Sequence, residues 1–309
     1  MLVLTNASTA DEERRAHLYD GAFYALTGTP ESRAFRDFAF DMIREAFDPV
    51  DPMRAQDELP LDRFVEIGAA LKPRFTHSPT AKELLRDALV SYGCAADETY
   101  FDLPKLRLVT HSNYLTSGVG YAYLAHRDVW YSCPPSQTNW WTPLNEIKSE
   151  CSLAFFPQWW NRPVPNTSGG FDAFEWNAVG RATAATQVKA DTRNHPTLAE
   201  PVDMGEELRI VGDPASMLIF SAAHLHATVP NTSGRTRFSI DFRTAHIDDL
   251  ESGNGAPIVD SESTGTTIYD FLRADDLSPV PEDVIRRYDP EVGTGNQRGP
   301  LVFTPPGIR

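Results

Sequence analysis

The strongest constraint in this 309-residue chain is a change of periodicity near Leu106. Before it, apolar residues recur at helical spacing in Ser32–Phe47, Leu61–Leu71 and Ala81–Tyr92. Pro49, Pro52, Pro60 and Pro79 punctuate these stretches, which predicts short helices rather than one long bundle. After it, LRLVTHSNYL, GVGYAYLAH, TNWWTPLNEI, CSLAFFP, EELRIVG, SMLIFS and TRFSIDFRT are rich in β-branched and aromatic residues with two-residue alternation. No helical stretch of crossover length sits regularly between them. That disfavours a parallel βαβ sheet and predicts a mainly β fold with flanking helices, an antiparallel barrel or jelly roll.

The chain therefore reads as a single domain over residues 1–309. Residues 1–100 form a helical N-terminal region, 101–247 the jelly-roll core, and 248–309 a C-terminal extension packing on that core. A long Pro-, Trp-, Asn- and Gly-rich insertion at about 158–204 fits a lid or pocket wall. The hexapeptide VPNTSG occurs at Val164–Gly169 and again at Val229–Gly234, and both copies read as turns. Short helices are expected at Thr267–Arg273 and Pro281–Tyr288.

Charge removes whole classes of function. With 28 Lys+Arg against 43 Asp+Glu, the formal charge is -15, and such a surface repels phosphate backbones and anionic lipid. Nucleic-acid and membrane partners are thus not expected, and no run approaches the ~20 apolar residues of a membrane span. Cys94, Cys133 and Cys151 are odd in number and contain no CxxC pair, which argues against a disulfide framework or a thiolate zinc site. The N-terminus lacks the pattern of a secretory signal, so the expected compartment is the cytoplasm. The sequence sets no oligomeric state.

The chemistry begins at His126-Arg127-Asp128. If GVGYAYLA is a strand running into this tripeptide, His126 and Asp128 lie two apart and share a face. One imidazole and one carboxylate supply two ligands of a facial triad, whose third must come from a distant segment. HRD also opens the kinase catalytic loop, but Val129 and Cys133 occupy the places of its Leu and Asn, and no other kinase motif is present. The missing ligand is offered after SMLIFS, where both His224 and His226 are available. The returning strand TRFSIDF then alternates Arg237, Ser239 and Asp241 against Phe238, Ile240 and Phe242, one polar face and one apolar. Arg235 or Arg237 can meet a carboxylate on that face, since the planar guanidinium makes two charge-assisted hydrogen bonds.

The block from Leu106 to Arg243 resembles the phytanoyl-CoA dioxygenase-like family of Fe(II)/2-oxoglutarate oxygenases. Those proteins carry H-x-D after an early barrel strand, a distal His ~100 residues later, an Asn five residues beyond it and an Arg eleven beyond it, in a barrel that hosts such triads. His226 has Asn231 and Arg237 at those places, whereas His224 has Val229 and Arg235. The resemblance thus selects His126, Asp128 and His226 as metal ligands, Arg237 for the cosubstrate carboxylate, and leaves His224 a structural residue. Thr228 matches a hydroxyl near that carboxylate, and Asn113 an amide that helps hold the cosubstrate in some relatives. NWWTPLNE is similar to the family's usual strand after H-x-D, but its Pro-Gly-Ser-His loop is replaced here by a segment containing Trp159-Trp160.

The resemblance implies a double-stranded β-helix, Fe(II) with 2-oxoglutarate and O2, and release of succinate and CO2. The substrate would be a small molecule, of the secondary-metabolite kind, against pocket walls drawn from Trp130, Tyr131, Trp159 and Trp160. Related halogenases carry a small residue where Asp128 stands, so hydroxylation is the default, with desaturation, epoxidation and cyclisation open to the same iron. Two rival readings stand beside it. One is a 2-oxoglutarate-independent metalloenzyme on the same fold, and the other a non-catalytic small-molecule-binding jelly roll.

Overall fold

The computed structural model describes residues 2–180 and 191–289. Residues 181–190 of the predicted insertion and 290–309 of the C-terminal extension lie outside the described residues.

The N-terminal helices start where the chain can cap them. After α1 (Asp11–Tyr19), α2 (Pro30–Phe47) opens with a reciprocal capping box in which Thr29 and Ser32 each accept the other's backbone N–H. Then come α3 (Ala55–Glu58), α4 (Leu61–Thr76) and α5 (Pro79–Ser91), the last capped by Ser78. Pro30 and Pro79 occupy the first helical positions, where a missing N–H costs nothing, so Pro79 opens a helix rather than breaking one. The first hundred residues are not all helical, however. β1 (Val3–Thr5) pairs in parallel with β2 (Phe23–Leu26), which extends the main sheet. Strands this short carry too little alternation to announce themselves.

The main sheet also contains β3 (Thr99–Phe101), β4 (Lys105–Val109), β5 (Thr138–Pro143), β7 (Met217–Ser221), β9 (Arg237–His246) and β10 (Leu272–Arg273). A second, smaller sheet is built on β6 (Leu153–Phe155) and β8 (His226–Thr228), extended on either side by single bridges from Leu208 to Phe155 and from His126 to His226. Eight segments therefore nest like a folded hairpin. The first, β4, pairs with the last, β9; His126 pairs with β8; β5 pairs with β7; and β6 pairs with Leu208. All these pairings are antiparallel, and the successive nested pairs alternate between the two sheets. This is a jelly roll.

β9 divides two environments. Phe238, Ile240 and Phe242 are fully buried in a core shared with Phe35, Phe47, Phe64 and Phe75 of the helices, and each such ring stabilises by roughly 1.5–3 kcal/mol on burial. On the alternate positions, Arg237, Asp241 and Arg243 line the interior between the sheets, as the sequence pattern required. The helices thus cover the main sheet's outer face and leave its inner face for chemistry.

Two predicted elements differ. GVGYAYLAH is not a strand: Gly118–Gly120 form a 3-10 turn with Gly118 at φ +59°, and His126 alone joins a ladder. Its alternating tyrosines, Tyr121 and Tyr123, line a cavity rather than following a pleat. Thr267–Arg273 is a 3-10 turn (Ile268–Asp270) followed by β10, while Glu282–Tyr288 is helical. Both VPNTSG copies are turns of one kind, in which Asn166 and Asn231 accept the N–H of Ser168 and Ser233. Among the described residues no helix is long and apolar enough to cross a membrane.

Candidate metal centre

His126, Asp128 and His226 come together inside the jelly roll, all buried, with one ligand atom from each within 4.8 Å of the others. Reciprocal backbone hydrogen bonds of 2.9 Å between His126 and His226 set the two histidines side by side. Asp128 is delivered by a 3-10 turn (Asp128–Tyr131) rather than by a strand. The shared-face geometry anticipated from strand alternation is therefore reached by another backbone path.

Both imidazoles are oriented by their own chain. His126 Nδ1 lies 2.8 Å from the Leu124 carbonyl and His226 Nδ1 2.9 Å from that of His224. A carbonyl only accepts, so each Nδ1 carries the proton and each Nε2 presents its lone pair inward. His126 Nε2 stands 3.2 Å from Asp128 Oδ1, close to the about 3 Å between neighbouring donors on one small cation. Three electron-rich atoms held this close repel one another unless a cation lies between them. Burial and the nearby His126 bring His226 down to about 4, so it is neutral at physiological pH. Burial alone would raise the Asp128 carboxyl, but the Arg243 guanidinium holds it well below the usual carboxylate range. Arg243 lies 3.6 Å from Asp128 Oδ2 and is itself held by Asp241 at 3.0 Å and Asp102 at 3.4 Å. Oδ1 is thereby left for a metal.

A cavity of about 70 Å³ leads inward from the triad. Arg237 lines it, 3% exposed, donating through Nη1 to the Cys151 and Ser152 carbonyls at 3.0 and 3.2 Å, while its Nε has no partner among the described residues. Asn139 lines the same cavity, and its side-chain amide nitrogen is likewise buried without a partner. Burial pulls Arg237 down to about 10, which leaves it cationic. Arg235 is exposed, which separates the two arginines that alternation could not. Thr228 also lines the cavity and ties β8 to the tyrosine segment, its Oγ1 accepting from the Tyr123 N–H at 3.2 Å.

A larger cavity of about 220 Å³ opens outward and shares Arg107, Tyr121, Tyr123, Asp128 and Arg243 with the inner one. Tyr131 lines it. Trp130, Trp159 and Trp160 line neither cavity. Trp130 is fully buried and donates to Asp260, Trp159 donates to the Met204 carbonyl, and Trp160 packs on His224 with ring centres 4.4 Å apart. Their bulk holds the loop beneath the triad instead of touching its contents. His224 stacks on Phe23 at 4.1 Å and stands outside the triad. Asn113 is exposed in the turn after β4 at φ +53° and lines neither cavity, so the geometry does not place it near a cosubstrate. Arg127, 1% exposed, donates to Asp260 and to the carbonyls of Ala223, Trp159 and Arg162. The middle residue of H-x-D is a clamp on the surrounding loops.

Asn139 and Arg243 escaped the sequence reading. Asn139 precedes the two tryptophans of NWWTP, and only its amide nitrogen, buried without a partner among the described residues, marks it.

No family model matches the chain, and no curated protein sequence matches it. Solved structures of similar shape include EvdO2 from Micromonospora carbonacea var. aurantiaca complexed with 2-oxoglutarate, at 17% identity over 78% of this chain and 92% of that one, with a TM-score of 0.43. AviO1 from Streptomyces viridochromogenes Tue57 is 15% identical over 81% and 100% of the two chains, with a TM-score of 0.40. EctD from S. alaskensis with bound Fe is 13% identical over 84% of each, at 0.38. With scores below 0.5, the assignment of the fold rests on the strand pairing given above. Fold and site together define a jelly roll with a buried His-Asp-His metal-binding constellation.

Proposed function

We propose that this chain is an Fe(II)- and 2-oxoglutarate-dependent dioxygenase that oxidises a small organic molecule, hydroxylation being the default outcome, in the manner of the phytanoyl-CoA dioxygenase-like family. One observation carries the reading. The triad opens onto an inner cavity whose walls hold a buried guanidinium and an amide with unpartnered donors, Arg237 and Asn139. A cavity of that kind suits an acceptor-rich anion anchored at a fixed distance from a metal, and a short dicarboxylate meets both ends.

With iron, 2-oxoglutarate and O2 bound, the site would supply oxidation of a substrate C–H bond with conversion of the cosubstrate to succinate and CO2. The chain's own residues prepare that chemistry. His126, Asp128 and His226 hold the metal through one face, leaving positions open toward the cavities. Arg243 keeps Asp128 ionised and turned. Arg237, Asn139 and the Thr228 hydroxyl receive the distal carboxylate, and Trp141, with Arg237 5.5 Å over its ring, closes the inner end against water. The substrate occupies the outer cavity beside Tyr131. A metalloenzyme that takes no 2-oxoglutarate would have no use for Arg237 at this depth.

Anaerobic titration of the purified protein with Fe(II) and then 2-oxoglutarate tests the reading. A visible charge-transfer band saturating with 2-oxoglutarate is the expected result. Its absence, with iron shown to be bound, would falsify the cosubstrate assignment.

A further inference from the structure

Among the described residues the outer cavity is lined by five lysine and arginine cations, and four of them are already spoken for. Lys105 pairs with Asp102, Arg107 with Asp241, Arg193 with Asp191, and Arg243 with Asp102, Asp241 and Asp128. Lys72 is different. It reaches into the cavity from α4, and among the described residues no carboxylate lies within ion-pairing distance; its ammonium donates to the Val119 carbonyl at 3.0 Å. The opposite walls are aromatic. Tyr121 stacks on His195 with ring centres 4.4 Å apart, Trp176 meets His195 edge-on at 4.5 Å, and Phe171 meets Tyr131 at 5.1 Å.

We infer that the outer cavity takes a small planar, ring-bearing carboxylate, its anion paired with Lys72 and its ring laid against Tyr121, Trp176 and Phe171. An unpaired ammonium facing a partly enclosed space lacks the compensation that each neighbouring cation has, and a ligand carboxylate supplies it. Burial and the neighbouring Arg107 bring Lys72 down to about 7, so an anion beside it would also hold its proton in place. The aromatic faces give a flat ring contact area without further polar demands. The outer and inner cavities share Asp128, so a ring held in the outer one lies next to the metal-binding atoms. That this ligand is the oxidised substrate rests on the oxygenase reading above; that it binds does not.

The probe is 2-naphthoate, compared with the neutral 2-naphthamide, titrated into metal-free protein and followed by tryptophan fluorescence. Naphthoate should bind roughly 30-fold or more tighter than naphthamide, the effect of pairing a partly buried charge. Lys72→Met should remove that preference while leaving naphthamide binding, and Arg237→Leu should leave it intact. Three results overturn the inference: equal affinities in the wild-type protein, no saturable binding of either probe, or loss of the preference in Arg237→Leu rather than Lys72→Met. The wild-type comparison requires no variant to fold. Naphthoate binding without a charge-transfer band in the iron titration sinks the oxygenase reading and leaves the carboxylate site standing. A band without naphthoate binding does the reverse.

Discussion

The two sheets of this jelly roll divide their labour unequally. The main sheet is continuous, with β9 pairing along its length with β4, β5 and β3. Among the described residues the smaller sheet has one three-residue pairing and two single bridges. Yet the two histidines sit on the smaller sheet, while the regular one contributes Arg237, Asn139 and Arg243. Ladder hydrogen bonds hold the metal ligands at few points, chiefly the reciprocal pair between His126 and His226. Side chains supplement them, through Arg127 clamping three carbonyls and Arg243 gripping Asp128. The regular sheet beside the ligands fixes Arg237 and Asn139 along the inner cavity.

This division can be broken at several points. The largest effect should come from the smaller sheet. His226→Ala is expected to abolish iron binding and succinate release, whereas His224→Ala, which loses a stacked ring and no ligand, should keep part of both; metal content and a succinate assay decide it, and the reverse outcome would exchange the two histidines' roles. On the main sheet, Arg237→Leu should leave iron binding unchanged and weaken 2-oxoglutarate by about 2–5 kcal/mol, the cost of stranding a buried carboxylate. An equal loss of iron would show that the two sheets are not independent. Arg243→Met crosses between them, and metal affinity should fall about 10–100-fold, as for other groups that orient a ligand; calorimetric titration with a redox-inert divalent ion measures it. Arg235→Ala, on the exposed turn, should change neither property.

Much of the site was legible because its spacing is local. His226, Asn231 and Arg237 fall within one short stretch of chain that runs from β8 into β9, and the polar face of β9 follows from the pleat. Asn231 proves to brace that connection, donating to the carbonyls of Val109 and Arg235. What stayed hidden comes from elsewhere in the chain. Lys72 lies on a helix whose other residues read as ordinary amphipathic pattern, and only packing against the 3-10 turn at Val119 brings it to the cavity. The aromatic alternation before His126 misled because cavity walls and strand pleats both favour large flat side chains at every second position. Asn113 kept the right spacing but fell on an exposed turn, where spacing along the chain no longer measures distance in space.

The nested pairing of strands has a consequence for how the molecule is made. Arg107 and Asp241, which close the outermost pairing, are 134 positions apart. Loop closure over such distances must precede any reward from the contacts, which makes topologies of this kind slow to form. During synthesis, His126 and Asp128 emerge long before His226, and the strand that carries Arg237 and Arg243 comes later still. Metal capture is therefore a late event, and a chain halted before β8 would expose two ligands with neither their third partner nor the arginine that keeps the carboxylate charged. Retention of iron during refolding would then report that the jelly roll has closed.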